Sequence, residues 1–100
     1  MSAYLIMDIT AHDQERYKLG NHLDVVPAIA ARYRGRFRVR GGNMEVLEGS
    51  WRPQRLVMIE FPGMKDLLAF YHSEEYRPFR DIRQRSAESR ILAVESLADS

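Results

Sequence analysis

One hundred residues bound the chain to a single domain, residues 1–100, of about the commonest size. A composition of 45% hydrophobic and 29% charged residues excludes a disordered tail, a coiled-coil rod and a collagen-like chain, and the absence of cysteine excludes disulfides, thiolate metal sites and cysteine nucleophiles. A net charge of +1 sets up no global field for nucleic acid or an acidic membrane surface, and no apolar run approaches the roughly 20 residues of a membrane helix. The first residues lack the basic and apolar regions of a signal peptide, so a cytoplasmic protein is expected.

Tyr4 to Thr10 is rich in apolar and β-branched residues and predicts a first strand. Asp13 is placed to cap a helix, and Leu19, Leu23, Val26, Ala30 and Tyr33 then give its apolar face. Gly20-Asn21 and Pro27 interrupt that face, which predicts a bend or two abutting segments. Gly35 stands where a C-cap would end the helix. Arg36 to Arg40 alternates arginine with Phe37 and Val39, a second strand with its three arginines on one face. Gly41-Gly42 predicts a bulge, bend or hairpin before Met44 to Leu47. Arg55 to Phe61 predicts a third strand closed by Pro62-Gly63. Met64, Leu67, Leu68 and Tyr71 fall at helical spacing, Ser73 can cap a turn through Tyr76, and Pro78 opens a further helix carrying Phe79 and Ile82. Ile91 to Glu95 is the last strand.

The order strand, helix, strand, strand, helix, strand, with right-handed crossovers, gives an α+β domain of the ferredoxin-like βαββαβ kind. Its antiparallel sheet has strand order 4-1-3-2 and helices on one face. The helix-covered face is expected to carry Leu5, Met7, Ile9, Phe37, Val39, Val57, Ile59 and Phe61. The other face carries Tyr4, Ile6, Asp8, Arg36, Arg38, Arg40, Leu56, Met58 and Glu60. It is too apolar to stay fully wet, so a homodimer through this sheet face is expected.

From Tyr33 to Phe61 the chain resembles domain-of-unknown-function family 1330. The match runs through Arg36-Phe37, Val39-Arg40-Gly41-Gly42, Glu48-Gly49, Trp51-Arg52-Pro53, Arg55 and Ile59-Glu60-Phe61-Pro62. Tyr17, Pro27, Gly35, Phe70-Tyr71, Ser73, Glu75-Tyr76 and Arg83 extend it over nearly the whole chain. Arg34-Gly35 and Glu95-Ser96 depart from the Gly-Gly and Glu-Gly usual there. The resemblance implies a dimeric α/β barrel built from two ferredoxin-like units. The wider superfamily includes cofactor-free monooxygenases, isomerases, haem enzymes and ligand-sensing modules. The family has no assigned reaction, so no catalytic residue is carried over from it.

Asp8, Glu60 and Arg40 are expected on one face of adjacent strands. They form either a poised carboxylate with an arginine that clamps an anion, or a structural ion-pair network with Arg40 paired to Asp8 or Glu60. His72, beside Tyr71 at a helix end, is a candidate general base or an exposed histidine favoured by the helix dipole. Tyr17, Trp51, Tyr71 and Tyr76 can line and orient a ligand or simply pack. His12, His22 and His72 lack the spacing of a zinc site. No phosphate loop, dinucleotide fingerprint or serine elbow calls for a cofactor or covalent chemistry.

The expectation is a homodimer that binds a small organic ligand between sheet and helices, without nucleic acid, membrane, metal or cofactor. His72 and Glu60 are the candidate catalytic groups for cofactor-independent acid/base or oxygenase chemistry. Tyr17, Arg40, Trp51 and Tyr71 are the candidate ligand contacts. The alternative is a non-catalytic ligand-sensing or protein-interaction module.

Overall fold

Alternation along β1 (Ala3–Ala11) sets the architecture. Ala3, Leu5, Met7 and Ile9 are buried, while Tyr4, Ile6 and Asp8 between them are only half covered. The structure is a computed structural model describing residues 1–20 and 25–97. In it β1 lies between β3 (Arg55–Phe61) and β4 (Ala87–Glu95), antiparallel to both. β2 (Arg36–Arg40) pairs outside β3, so the sheet order is β2-β3-β1-β4, the expected order read from the other edge. One layer of helices covers one face, and the molecule is 18 Å through its thinnest direction. No helix among the described residues is long and apolar enough to cross a membrane.

The helical layer comprises α1 (Gln14–Gly20), α2 (Val25–Arg32), α3 (Met64–Tyr71) and α4 (Arg77–Ser86). The Asp13 carboxylate accepts the Arg16 backbone N–H at 3.1 Å and so caps α1. Pro27 falls in the first turn of α2, where a missing N–H leaves no helical bond unmade. Two segments therefore replace one kinked helix; Leu23 and His22 lie outside the described residues. The Ser73 hydroxyl donates to the Phe70 carbonyl at 2.8 Å and accepts the Tyr76 N–H at 3.1 Å, turning the chain from α3 into α4. Val26, Ile29, Ala30, Leu67, Phe70 and Tyr76 then close over Leu5, Val57, Ile59 and Phe61.

Three local features depart from the sequence expectation. The first is Gly35. The residue in the left-handed region at the end of α2 is Arg34, with φ 65°, and not the glycine. Gly35 is required by close approach instead, since a Cβ there would lie 2.5 Å from Cε1 and 2.8 Å from Cζ of the Phe61 ring. Gly35→Ala is therefore expected to cost about 1–3 kcal/mol by overpacking a filled core. A urea midpoint unchanged by this substitution would show that Phe61 moves aside freely.

The second departure is a bulge in β2. Arg36 stands opposite Glu60 and Phe37 opposite Ile59, but Val39 stands opposite Met58 and Arg40 opposite Val57. Arg38 is the extra residue, and one extra residue exchanges the faces of everything beyond it. Val39 thus joins the open face and Arg40 turns to the helix-covered face, the reverse of the alternation. The β2–β3 connection turns at the diglycine as expected: Gly41 and Gly42 take φ of 69° and 108°, and Met44 to Leu47 form no strand. The third departure is the start of β4, which begins at Ala87 rather than Ile91, directly from α4, and pairs with β1 as far as Ala11.

Candidate functional site

Between the helix-covered end of the sheet and α1, α2 and α4 lies a cleft holding a void of about 40 Å³. Its floor is Met7 and Ile9 of β1, Phe37 of β2, and Arg55 and Val57 of β3. Tyr17 of α1, Val26 of α2, and Tyr76, Phe79 and Arg83 at and along α4 roof it. Each polar member arrives by ordinary periodicity. Arg55 is in phase with Val57, Ile59 and Phe61 along β3 and stands opposite Ile9 of β1, so its stem points under the helices. Arg83 follows Phe79 by four residues and Tyr76 by seven, on the inward face of α4.

Two guanidinium groups therefore enter an apolar, aromatic-walled space. Arg83 is 7% exposed, and the Nε atoms of both Arg55 and Arg83 are buried without a hydrogen-bond partner. The partners the two side chains do have are neutral phenols: Arg83 Nη2 donates to the Tyr71 hydroxyl at a long 3.4 Å and Arg83 also bonds Tyr76, while Arg55 bonds Tyr17. Among the described residues no carboxylate lines the cleft and no ion pair includes either arginine. Burial raises the Tyr17 phenol above its ordinary range, against the opposing pull of Arg55, Arg83 and Arg40. Burial likewise raises Tyr76, with Arg83 pulling the other way. Both phenols thus keep their protons at neutral pH and can donate hydrogen bonds. The cleft offers donors and positive charge, with no histidine or carboxylate among its described lining residues to accept a proton.

The residues singled out from the sequence are distributed over three places. Tyr17 lines the cleft. Arg40 lies next to it, its guanidinium 5.2 Å over the Phe37 ring and near enough to act on Tyr17. Tyr71 is half-buried behind it, between the Arg83 fork and Arg80, whose guanidinium stacks 5.6 Å over the Tyr71 ring. Glu60, Asp8 and Trp51 lie on the opposite, open side of the sheet. Glu60 accepts Arg38 Nε at 2.8 Å, which holds its carboxyl below the ordinary carboxylate range and leaves it ionised at neutral pH. Asp8 accepts the Trp51 indole N–H at 2.8 Å, and both line a groove of about 540 Å³.

The expected grouping of Arg40 with Asp8 and Glu60 is thus overturned by the bulge, which sends Arg40 through to the other face. His72 caps α3 through its backbone and is exposed, with its ring edge-on to Tyr71 at 5.3 Å. Together they rim a shallow hollow against Leu67, Leu68, Ile91 and Leu92, separate from the cleft. Glu60 and His72 are not brought together. Among the described residues no three acids or histidines gather as a metal site would require.

A protein-family model described as a domain of unknown function (DUF1330) matches residues 2–97. No curated protein sequence matches the chain. Among solved structures, a dimeric ferredoxin-like protein of unknown function from Jannaschia sp. CCS1 superposes with a TM-score of 0.76 at 14% identity, covering 96% of this chain and 100% of its own. A protein of unknown function from Rhodopseudomonas palustris gives 0.75 at 15% identity, over 98% of this chain and 84% of its own. SnoaB, a cofactor-independent oxygenase from Streptomyces nogalater, gives 0.64 at 12% identity, over 98% and 95%. At these identities the likeness is one of fold.

Proposed function

The chain belongs to the DUF1330 family, and from that premise we propose that it acts as a homodimer that binds a small organic ligand in the cleft between sheet and helices. The observation that carries this reading is the pair of arginines whose buried Nε atoms have no partner inside an aromatic-walled space. A buried donor left without an acceptor costs about 1–3 kcal/mol, so two of them facing one space call for an acceptor there. The walls of Phe37, Tyr76 and Phe79 suit a flat apolar body, and Tyr17 supplies an orienting hydroxyl.

That the described lining residues include no carboxylate or histidine bears on the choice between binding and catalysis. A reaction here would draw its base from the ligand itself, as an already acidic or anionic substrate. That is compatible with cofactor-independent oxygenation, the activity of the Streptomyces nogalater protein. It equally suits a ligand-sensing module, which needs no proton transfer. Dimerisation through the open face follows from Ile6, Leu56, Met58, Leu92 and Val94 on that face, and one of the similar structures is dimeric.

The test is a fragment screen on the full chain, read by methyl NMR. The expected result is hits that move Met7, Ile9, Val26 and Val57. Hits confined to the open face or to the hollow at His72, with the cleft methyls still, would overturn the cleft as the site.

A further inference from the structure

We infer that the cleft is an oxyanion site, in which Arg55 and Arg83 together receive the carboxylate of a small organic acid. This rests on the reading of the cleft as a ligand site and names the class of ligand it takes. The first ground is charge. Arg55 and Arg83 enter one enclosure from opposite layers, β3 and α4, and no acid among the described residues lines it. Two like charges brought together in low dielectric repel, and an anion between them turns that repulsion into attraction.

The second ground is valence. A guanidinium presents Nε–H and Nη–H in one plane, spaced to meet the two oxygens of a carboxylate. In both arginines the Nε–H is buried and unmet, and Arg83 is 7% exposed, so bulk water does not satisfy it. An unmet buried donor of this kind marks where a missing acceptor belongs. Size is the third ground. A void of about 40 Å³ holds a few waters or one carboxylate, and not a whole multi-ring ligand. The headgroup therefore seats inside, and the ligand body runs along Phe37, Tyr76 and Phe79 toward the mouth. The protonated Tyr17 hydroxyl adds a donor on the same wall.

Benzoate and benzamide are suitable probes, being equal in shape and different in charge. On the full-length protein, benzoate is expected to move the Arg55 and Arg83 Nε–H signals saturably. Benzamide is expected to bind at least about tenfold more weakly, the factor that one lost charged hydrogen bond of about 1.4 kcal/mol gives. Arg55→Gln and Arg83→Gln should each weaken benzoate by about tenfold or more. The wild-type comparison of the two probes stands if Arg83→Gln fails to fold. Equal binding of both probes in the cleft, or cleft methyls that move while both Nε–H signals stay still, overturns the oxyanion site and leaves the ligand cleft standing. Cleft methyls unmoved by either probe overturn both.

Discussion

Phe70→Ala is expected to be the most damaging single truncation in the chain, lowering stability by about 3–5 kcal/mol. Phe70 is fully buried at the centre of an aromatic cluster. Its ring stacks on Tyr76 at 4.5 Å, tilts against Phe61 at 5.4 Å and meets Tyr33 edge-on at 6.1 Å. Removing it leaves a cavity that Phe61 cannot fill, because the Phe61 ring is already held against Gly35. Against a total of about 5–15 kcal/mol for a domain, that is a large fraction. At about 4–8 °C per kcal/mol the melting temperature should fall by tens of degrees, compared at one protein concentration because the proposed dimerisation would contribute. The same substitution removes the support of Tyr76, which roofs the cleft, so ligand binding should weaken even where the fold survives. A loss below about 1 kcal/mol would mean that the cluster collapses into the gap and that this layer is far softer than native packing density implies.

How much of this was legible in the sequence depended on how far each feature rests on regular repetition. The four strands, their order and the helix-covered face follow from period-two alternation in β1 and β3 and from helical spacing around Leu67 and Tyr71, and the structure reproduces them. The bulge at Arg38 was not legible. The run from Arg36 to Arg40 alternates without flaw, and nothing in its composition marks one residue as extra. The misplacement of Arg40 beside Asp8 and Glu60 followed from that single slip. Gly35 was read as a helix cap because glycine at a helix end is commonly left-handed. Its actual constraint is a contact with Phe61, 26 positions away in the chain, which local reasoning does not reach.

The cleft arginines are a different matter, since a signal for them was present. Arg55 falls in phase with Val57, Ile59 and Phe61, and Arg83 in phase with Tyr76 and Phe79. A cation repeated into an apolar face is an inconsistency between pattern and charge, and such inconsistencies concentrate at functional sites. The denser arginine run at 32–40 and His72 are the more conspicuous features of the sequence. The structure sends that run to several places. Arg32 pairs with Glu75 on the surface, Arg34 with Asp66, and Arg38 with Glu60. Exposed pairs of this sort contribute little, about 0–1 kcal/mol each, and leave Arg55 and Arg83, paired to no acid among the described residues, as the informative cations.

Ile6→Glu is expected to separate the proposed homodimer while leaving the monomer folded. Ile6 lies midway along β1, the inner strand, directly between Met58 of β3 and Leu92 of β4 on the open face. The helix-side core does not touch this position, because the neighbouring Leu5 and Met7 carry the burial on that side. A two-fold interface brings two copies of the substitution into one contact. A charge at the centre of a buried patch costs about 2 kcal/mol or more per copy, so the dissociation constant should rise by roughly a thousandfold. Val25→Glu is the matched control: Val25 is 40% exposed at the start of α2, in the helical layer, and the change should leave the assembly intact. Sedimentation equilibrium at micromolar concentration distinguishes the outcomes. The wild type and Val25→Glu should run at twice the chain mass and Ile6→Glu at the chain mass, with the far-ultraviolet dichroism unchanged. A dimer that survives Ile6→Glu would place the interface on the helices. The 57% exposure of Leu92 and the 44% exposure of Val94 would then require some other cover, since a sheet face this apolar does not stay open to water.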